Sequence, residues 1–287
     1  MSLRDFVVYK MGKIIPDKLW IQIKYFQFFH KFCNLKNPQT FSEKLQWLKL
    51  YDRKPEYTMM VDKYKVREYI KEKLGEEYLI PLLGVWDDPD EIDFDTLPNQ
   101  FVLKCNHNSG LGMCICKDKS KLNISRVKAE LRKGLAQDYF LTGREWPYKD
   151  VPRKIICEKY MVDESGYELK DYKFFCFNGI PKIMFIASDR STSPTFDFYD
   201  MDFHHLAIKN GHENSKKTLK KPQNFELMKE LAVKLSKGYP QLRVDFYEIN
   251  GKIYFGELTF FHWSGMVKFE PEEWDDKLGS YIRLPEK

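Results

Sequence analysis

The 287-residue chain has no Cys-x-x-Cys pair, no internal repeat and no low-complexity segment. Its six cysteines, at positions 33, 105, 114, 116, 157 and 176, fall mostly in apolar runs. They are therefore read as buried free thiols of a reducing compartment, not as a disulfide framework or a zinc site. No apolar run reaches the length of about 18 residues that a membrane span needs. A signal-peptide pattern is also lacking, so a cytoplasmic, soluble chain is expected. Charge of one sign is in short supply: 47 Lys and Arg face 42 Asp and Glu, a net of +5. That excess suits polyanionic small molecules such as nucleotides, and it is too weak and dispersed for nucleic acid. Neither a Gly-x-x-x-x-Gly-Lys-Ser/Thr loop nor a strand–glycine–helix dinucleotide fingerprint is present.

What is present is 43% apolar and 16% aromatic residues, in a chain long enough for two domains or one large one with a substantial core. The fold class expected is α+β. Residues 1–97 read as an N-terminal helical region, 98–160 as a small lobe and 161–287 as a larger, mostly antiparallel lobe. Residues 16–33 form an aromatic, basic helix, read as buried against the main domain, with a membrane-surface helix as the alternative. A second helix follows a cap at Thr40 or Ser42. One long helix is expected over 57–74, ended by Gly75, and another over 123–139. A helix over 224–237 is expected to turn Leu227, Leu231, Val233 and Leu235 inward. Asn178-Gly179 and Asn250-Gly251 are hairpin turns.

Four patterns carry chemistry. In 101–116 a strand ending at Lys104 leads into Ser109-Gly110-Leu111-Gly112 and then a second apolar strand. Two glycines among small polar residues let backbone N–H groups approach an anion, and Lys104 adds a point charge. Residues 155–161 run from strand into connector and can offer backbone to an adenine edge, with Glu158 as anchor. Asp171-Tyr172-Lys173 supplies a second lysine. Across the Asn250-Gly251 turn, Asp245 and Glu257 come nearly opposite each other, and two carboxylates side by side invite a cation such as Mg²⁺. Arg243 shares the face of Asp245 because strand side chains alternate. His107, beside the loop, reads as a structural residue or loop contact in place of an acid/base, and His204, His205 and His262 show no metal-ligand spacing.

Together these patterns resemble the ATP-grasp fold. More closely, the chain resembles the TupA-like ATP-grasp family of teichuronopeptide and cell-surface polysaccharide gene clusters. The likeness runs from about residue 40 to 284, through DKYKVREYI, FVLKCNHNSG, ICEKYM, DYKFFCFNG, ASDR and LRVDFYEINGKIYFGELTF, to the later Ser264-Gly265. The resemblance implies an ATP-dependent carboxylate–amine ligase acting through an acyl phosphate, with a sugar acid or polysaccharide precursor as substrate. ATP and Mg²⁺ are the implied cofactors. Lys104, Lys173 and the Ser109–Gly112 loop match phosphate-binding residues, and Glu158, Lys159, Tyr160 and Met161 match the adenine hinge. Arg243 and Lys173 match catalytic positions, and Asp245 and Glu257 match the magnesium carboxylates. Arg190, Ser264 and Gly265 are candidates for the carboxylate substrate. Thr259 stands where ATP-grasp ligases often carry Asn, which puts a second magnesium site in question.

The implied partners are a small-molecule or glycan carboxylate and an amine, with no nucleic acid. Peripheral association with the inner membrane face, through a lipid-linked glycan, is also implied. The competing reading is a metal-dependent glycosyltransferase using a nucleotide sugar held by an Asp-x-Asp motif. Asp88-Pro89-Asp90, Asp93-Phe94-Asp95 and Asp200-Met201-Asp202 supply the pattern, but each reads more simply as a solvated turn.

Overall fold

The computed structural model describes residue 10, residues 12–190 and residues 192–286. The chain divides into two compact units. Unit 1 comprises Met1–Arg53, Gly143–Trp146 and Val162–Lys287, and unit 2 comprises Lys54–Thr142 and Pro147–Met161. This division departs from the three consecutive segments read from the sequence, because residues 1–97 are shared between the units.

Unit 2 is built on a four-stranded antiparallel sheet in the order β1-β4-β2-β3. The strands are β1 Leu82–Trp86, β2 Phe101–Cys105, β3 Met113–Cys116 and β4 Ile155–Lys159. In β2, Phe101, Leu103 and Cys105 are buried while Val102 and Lys104 are half-buried, the period-two alternation of a strand with one face on a core. That core closes on the Ile124–Ala136 helix, which buries Val127 and Leu131 against Phe94, Ile155 and Cys157. Asn123 caps it, its side chain accepting from the Arg126 N–H at 2.9 Å.

The single helix expected over 57–74 is two helices, Pro55–Val61 and Val66–Lys73. Asp62 Oδ1 interrupts them by accepting from the backbone N–H groups of Tyr64 at 2.8 Å and Lys65 at 3.2 Å. An Asp side chain that satisfies the local backbone competes with helix continuation.

Unit 1 holds a six-stranded antiparallel sheet, ordered β10-β9-β5-β6-β7-β8. Its strands are β5 Asp171–Phe177, β6 Ile180–Ser188, β7 Thr195–Asp200, β8 His205–Leu206, β9 Gln241–Ile249 and β10 Lys252–Thr259. Both expected hairpin turns form. Asn178 and Gly179 have φ of 50° and 82°, and Asn250 and Gly251 have 50° and 71°, the paired positive values that suit the twist of the flanking strands.

The Phe225–Ser236 helix packs on this sheet through Phe225, Met228, Leu231, Ala232 and Leu235. Leu227 and Val233, expected inward, are exposed. The buried set follows the 3.6-residue period, whereas 227 and 233 lie off that stripe.

The Phe41–Tyr51 helix also belongs to unit 1. Thr40 and Glu43 form a reciprocal capping box at its start. Asp275, on the Glu273–Tyr281 helix, accepts from the Ser42 N–H at 2.9 Å and hydroxyl at 2.8 Å. Phe41 sets its ring edge-on to Phe175, Phe177 and Phe269. These contacts explain why the N-terminal helices up to Arg53 join the larger unit.

The cysteines are free thiols, five buried and Cys114 half-buried. Among the described residues, no helix is long and apolar enough to cross a membrane.

Candidate active site

In unit 2 the hairpin joining β2 to β3 is anchored up to its tip. Asn106 donates to Asp62 Oδ1 and to the Pro152 carbonyl, both at 2.8 Å, and its own side-chain oxygen accepts from the Lys154 N–H at 2.7 Å. Asn108 donates to Gln137 Oε1 at 3.0 Å and to the Gly134 carbonyl at 3.2 Å. His107 lies buried between them, its Nε2–H donating to the Gln137 carbonyl at 3.1 Å. Burial pushes its pKa down to about 4. Among the described residues Nδ1 has no partner, so a second proton there would be an unsatisfied donor.

Only Ser109, Gly110 and Leu111 then stand exposed before Gly112 is buried again. Gly110 and Gly112 have φ of 83° and 71°. Successive N–H groups in such a loop make an anion-binding concavity.

Lys104 does not stand alone. Its Nζ pairs with Glu158 at 2.6 Å, and Arg67 reaches the same carboxylate at 3.6 Å. The ladder sets this up, since Val102 faces Glu158 across β2 and β4. Thus two residues given separate roles from the sequence form an ion pair in the structure. Lys159 ends β4, and Tyr160 and Met161 follow as the last residues of unit 2.

In unit 1 the Asp245–Glu257 pair forms, and the reason is a bulge. Near the turn, Phe255 faces Phe246; on that register Asp245 would meet Gly256 and Glu257 would point to the other face. A register shift between Phe255 and Glu257 leaves Gly256 unpaired and brings Glu257 opposite Asp245. A Cβ at Gly256 would lie 3.0 Å from the Asp245 carbonyl oxygen, so the close approach favours glycine.

Arg243 knits the pair together. Its Nε and Nη2 donate to the two oxygens of Asp245, each at 2.7 Å. Nη2 also donates to Glu257 at 2.7 Å and to Thr259 Oγ1 at 3.0 Å. Lys173 completes the group at 2.5 Å from Asp245, as expected from its register opposite that residue, and lies 3.4 Å from Asp171. Burial works against the Arg243 charge, but Asp245 and Glu257 hold the guanidinium protonated. Glu257 keeps 42% of its side chain open while Asp245 is fully buried.

His262, set aside from the sequence, turns out to position this arginine. Arg243 Nη1 donates to His262 Nδ1 at 2.7 Å, and Nε2–H donates to Asn210 Oδ1 at 2.8 Å. The Asn210 amide in turn donates to the carbonyls of Val267 and Lys268. That chain fixes the tautomer, because arginine can only donate. Burial and the nearby Arg243 and Lys173 charges push His262 well below its ordinary value.

Arg190 pairs with Asp171, so its guanidinium is already engaged by a carboxylate. Ser264 and Gly265 sit in a strained turn, where Trp263 and Ser264 have φ of 49° and 56°. Lys49, fully buried, donates to Ser264 Oγ at 2.7 Å, to the Ser264 carbonyl at 2.8 Å and to Gln46 Oε1 at 2.9 Å. Burial lowers Lys49 to about 8, with Glu145 pulling it back up, and burial raises Glu145. Lys49, Glu145 and His262 had no local signal in the sequence, since each meets Ser264, Arg243 or another partner from a distant segment.

The Asp-x-Asp stretches are turns. Asp88 caps the Pro89–Glu91 turn, and Asp200 accepts from the N–H groups of Asp202 and His204. Asp200, Asp202 and His204 do gather, but as a surface turn.

The chain has the ATP-grasp fold. It belongs to the TupA-like ATP-grasp family, whose model matches residues 43–283. No match to a curated protein was found. Among solved structures it is similar to D-alanine–D-alanine ligase from Helicobacter pylori, at 14% identity and a TM-score of 0.46 over 84% of this chain and 69% of that one. It is similar to the ATP complex of D-alanine–D-alanine ligase from Bacillus anthracis, at 16% identity and a TM-score of 0.42, covering 70% and 54%. A third similar structure is the biotin carboxylase domain of 2-oxoglutarate carboxylase from Hydrogenobacter thermophilus, with MgADP and bicarbonate, at 16% identity and 0.44, covering 89% and 51%. The chain therefore spans between about half and about two thirds of those proteins' lengths.

Proposed function

We propose that this protein couples ATP hydrolysis to amide formation between a carboxylate and an amine, with a sugar acid or polysaccharide precursor of the cell surface as the carboxylate substrate. The observation that carries the reading is the Arg243–Asp245–Glu257–Lys173 cluster, which the Gly256 bulge brings onto one face of the sheet. The glycan assignment follows the association of the TupA-like family with cell-surface polysaccharide gene clusters.

Magnesium fits the donor set. Glu257 and Asp245 offer carboxylate oxygens and Thr259 a hydroxyl, the hard ligands that this ion prefers. Glu257, the more open carboxylate, and Asp245 would hold it, and a bound ion would neutralise phosphate charge there. Arg243 is pinned by Asp245 on one side and His262 on the other, so its guanidinium needs no reorganisation to meet charge developing on a transferred phosphoryl group. Lys173 supplies a second fixed cation beside it. In unit 2 the Ser109–Leu111 tip and Lys104 are the phosphate-binding residues, and 158–161 is the adenine-binding segment. The products of the first step are an acyl phosphate and ADP, and the amine then displaces phosphate. Holding the two reactants in line is the main work left to the protein.

A thermal-shift panel of ATP, ADP, UDP and UDP-sugars, each with Mg²⁺, tests the reading. A ligand at about a hundredfold excess over its Kd stabilises the native state by about 2.7 kcal/mol. ATP and ADP should raise Tm and the uridine nucleotides should not. A shift with UDP or a UDP-sugar and none with ATP would replace the ligase with a glycosyltransferase.

A further inference from the structure

The Asp17–Phe29 helix is apolar on two opposite sides. One side buries Trp20, Ile21 and Tyr25 in unit 1. The other leaves Leu19, Ile23 and Phe26 exposed, and their spacing of four and three residues makes one stripe along the helix. Phe32 joins that stripe from beyond the helix end. His30 closes the helix in the left-handed conformation, its N–H bonding the Phe26 carbonyl. Gln22 then clamps the returning chain by a reciprocal pair of bonds to the Cys33 backbone, at 2.8 and 2.9 Å. The result sets the Phe32 ring 5.2 Å from Phe26, with Phe32 71% exposed. Ile14, at 82%, precedes the stripe. Six of the seventeen large apolar side chains exposed among the described residues therefore lie between residues 14 and 32, with Phe28 the one off the stripe.

The charge of the segment that carries this stripe has one sign, although Lys24 lies over the Trp20 ring on the other side of the helix. Lys10, Lys13, Lys18, Lys24, Lys31 and Lys36 lie within 10–36, and Asp17 is the single carboxylate. Asp17 is neutralised by Arg53 at 2.8 Å and Arg144 at 3.1 Å. From a neighbouring segment, Glu272 reaches Lys31 at 3.8 Å. Six lysines less one carboxylate give +5 for this segment, as much as the whole chain carries. Elsewhere the charges cancel; here they do not.

We propose that this face is a docking surface for an anionic lipid bilayer, with the Asp17–Phe29 helix lying in the plane of the interface. Leu19, Ile23, Phe26 and Phe32 enter the acyl boundary, and the flanking lysines meet the headgroups. A helix with an apolar stripe, aromatic rings and a lysine-rich surround binds in this way, and its affinity depends on both the apolar area and the anionic charge. The charge excess is what selects a lipid surface over a second copy of the chain, since two copies would bring like charges together.

Flotation of the full chain with phosphatidylcholine vesicles, with and without about 30% phosphatidylglycerol, tests this. The chain should float with the anionic vesicles and stay behind with the neutral ones, and added salt should weaken the association. A Leu19→Ser, Phe26→Ser, Phe32→Ser variant changes only exposed side chains, and its melting profile reports that it is folded. It should lose about tenfold or more in vesicle partitioning, and Lys13→Glu with Lys18→Glu should lose a comparable amount. Equal partitioning of wild type and both variants, or none of the wild type onto anionic vesicles, would overturn the proposal. So would a wild-type dimer that the serine variant converts to monomer, since the face would then be an interface between copies. None of these readouts depends on the ligase substrates.

Discussion

Replacing Gly112 by alanine should destabilise unit 2 more than the same change at Gly110. Gly112 has φ of 71°, and a Cβ there would lie 2.7 Å from Cys105 Sγ and 2.8 Å from the Cα of Gly134. The contact is reciprocal, because a Cβ on Gly134 would lie 2.6 Å from the Cα of Gly112. The two glycines thus seat the end of the loop directly on the Ile124–Ala136 helix. Left-handed alanine costs about 1–2 kcal/mol, and forcing a methyl group into a packed contact adds about 1–3 kcal/mol. A chain of this size loses about 2–4 °C of Tm per kcal/mol, so Gly112→Ala should melt roughly 4–20 °C below wild type. Gly110→Ala is the matched control. Its φ is 83°, but nothing lies within 4 Å of a Cβ there, so only the conformational cost applies. Its effect should appear in ATP affinity, because the exposed tip is where the phosphates are proposed to sit. Thermal melts of the two variants decide the matter. Equal melting temperatures, or a lower one for Gly110→Ala, would refute the division of the loop into a seated glycine and an open one.

His107 titrates near 6.5 when unfolded and about 4 when folded, so the unfolded chain binds the extra proton first as pH falls. Stability should be fully present above pH 6.5 and decline towards pH 4, by at most about 3 kcal/mol; His107→Gln should flatten that part of a melting-versus-pH curve, and an unchanged slope would contradict the burial argument. Lys49→Met takes the donor from Ser264 and Gln46 and removes one of the cations near the buried Glu145, a loss of about 1–3 kcal/mol. The Lys49→Met, Glu145→Gln double variant should recover much of that in denaturant unfolding, and strict additivity would show the two groups to be uncoupled.

Local chemistry in the sequence carried a good deal of this site. The Asn250-Gly251 turn fixes a register, and the register places Asp245, Glu257 and Arg243 on one ladder. The pairing was read as nearly opposite, and Gly256 supplied the missing residue: a glycine inside a strand is the mark of a bulge. The Phe225–Ser236 helix existed as expected, but its inward face did not follow, because 227 and 233 are hydrophobic residues off the stripe that the sheet covers. The 57–74 helix broke at Asp62, whose partner Asn106 lies 44 residues away. Lys49, Glu145 and His262 were illegible for the same reason: each acquires its meaning from a residue on another segment. Thr40 caps the Phe41–Tyr51 helix as expected, but the tie of that helix to the larger unit comes through Asp275, more than two hundred residues on.

The central claim, that Glu257 and Asp245 hold the magnesium of a bound ATP, is tested most directly by calorimetric titration of ATP with and without Mg²⁺, on wild type and on Glu257→Gln. The account predicts that Mg²⁺ tightens ATP binding to wild type by about tenfold or more, equivalent to about 1.4 kcal/mol, and that Glu257→Gln, still folded, loses most of that gain. An ATP affinity indifferent to Mg²⁺ in wild type, or a Glu257→Gln variant with the full wild-type dependence, would contradict it.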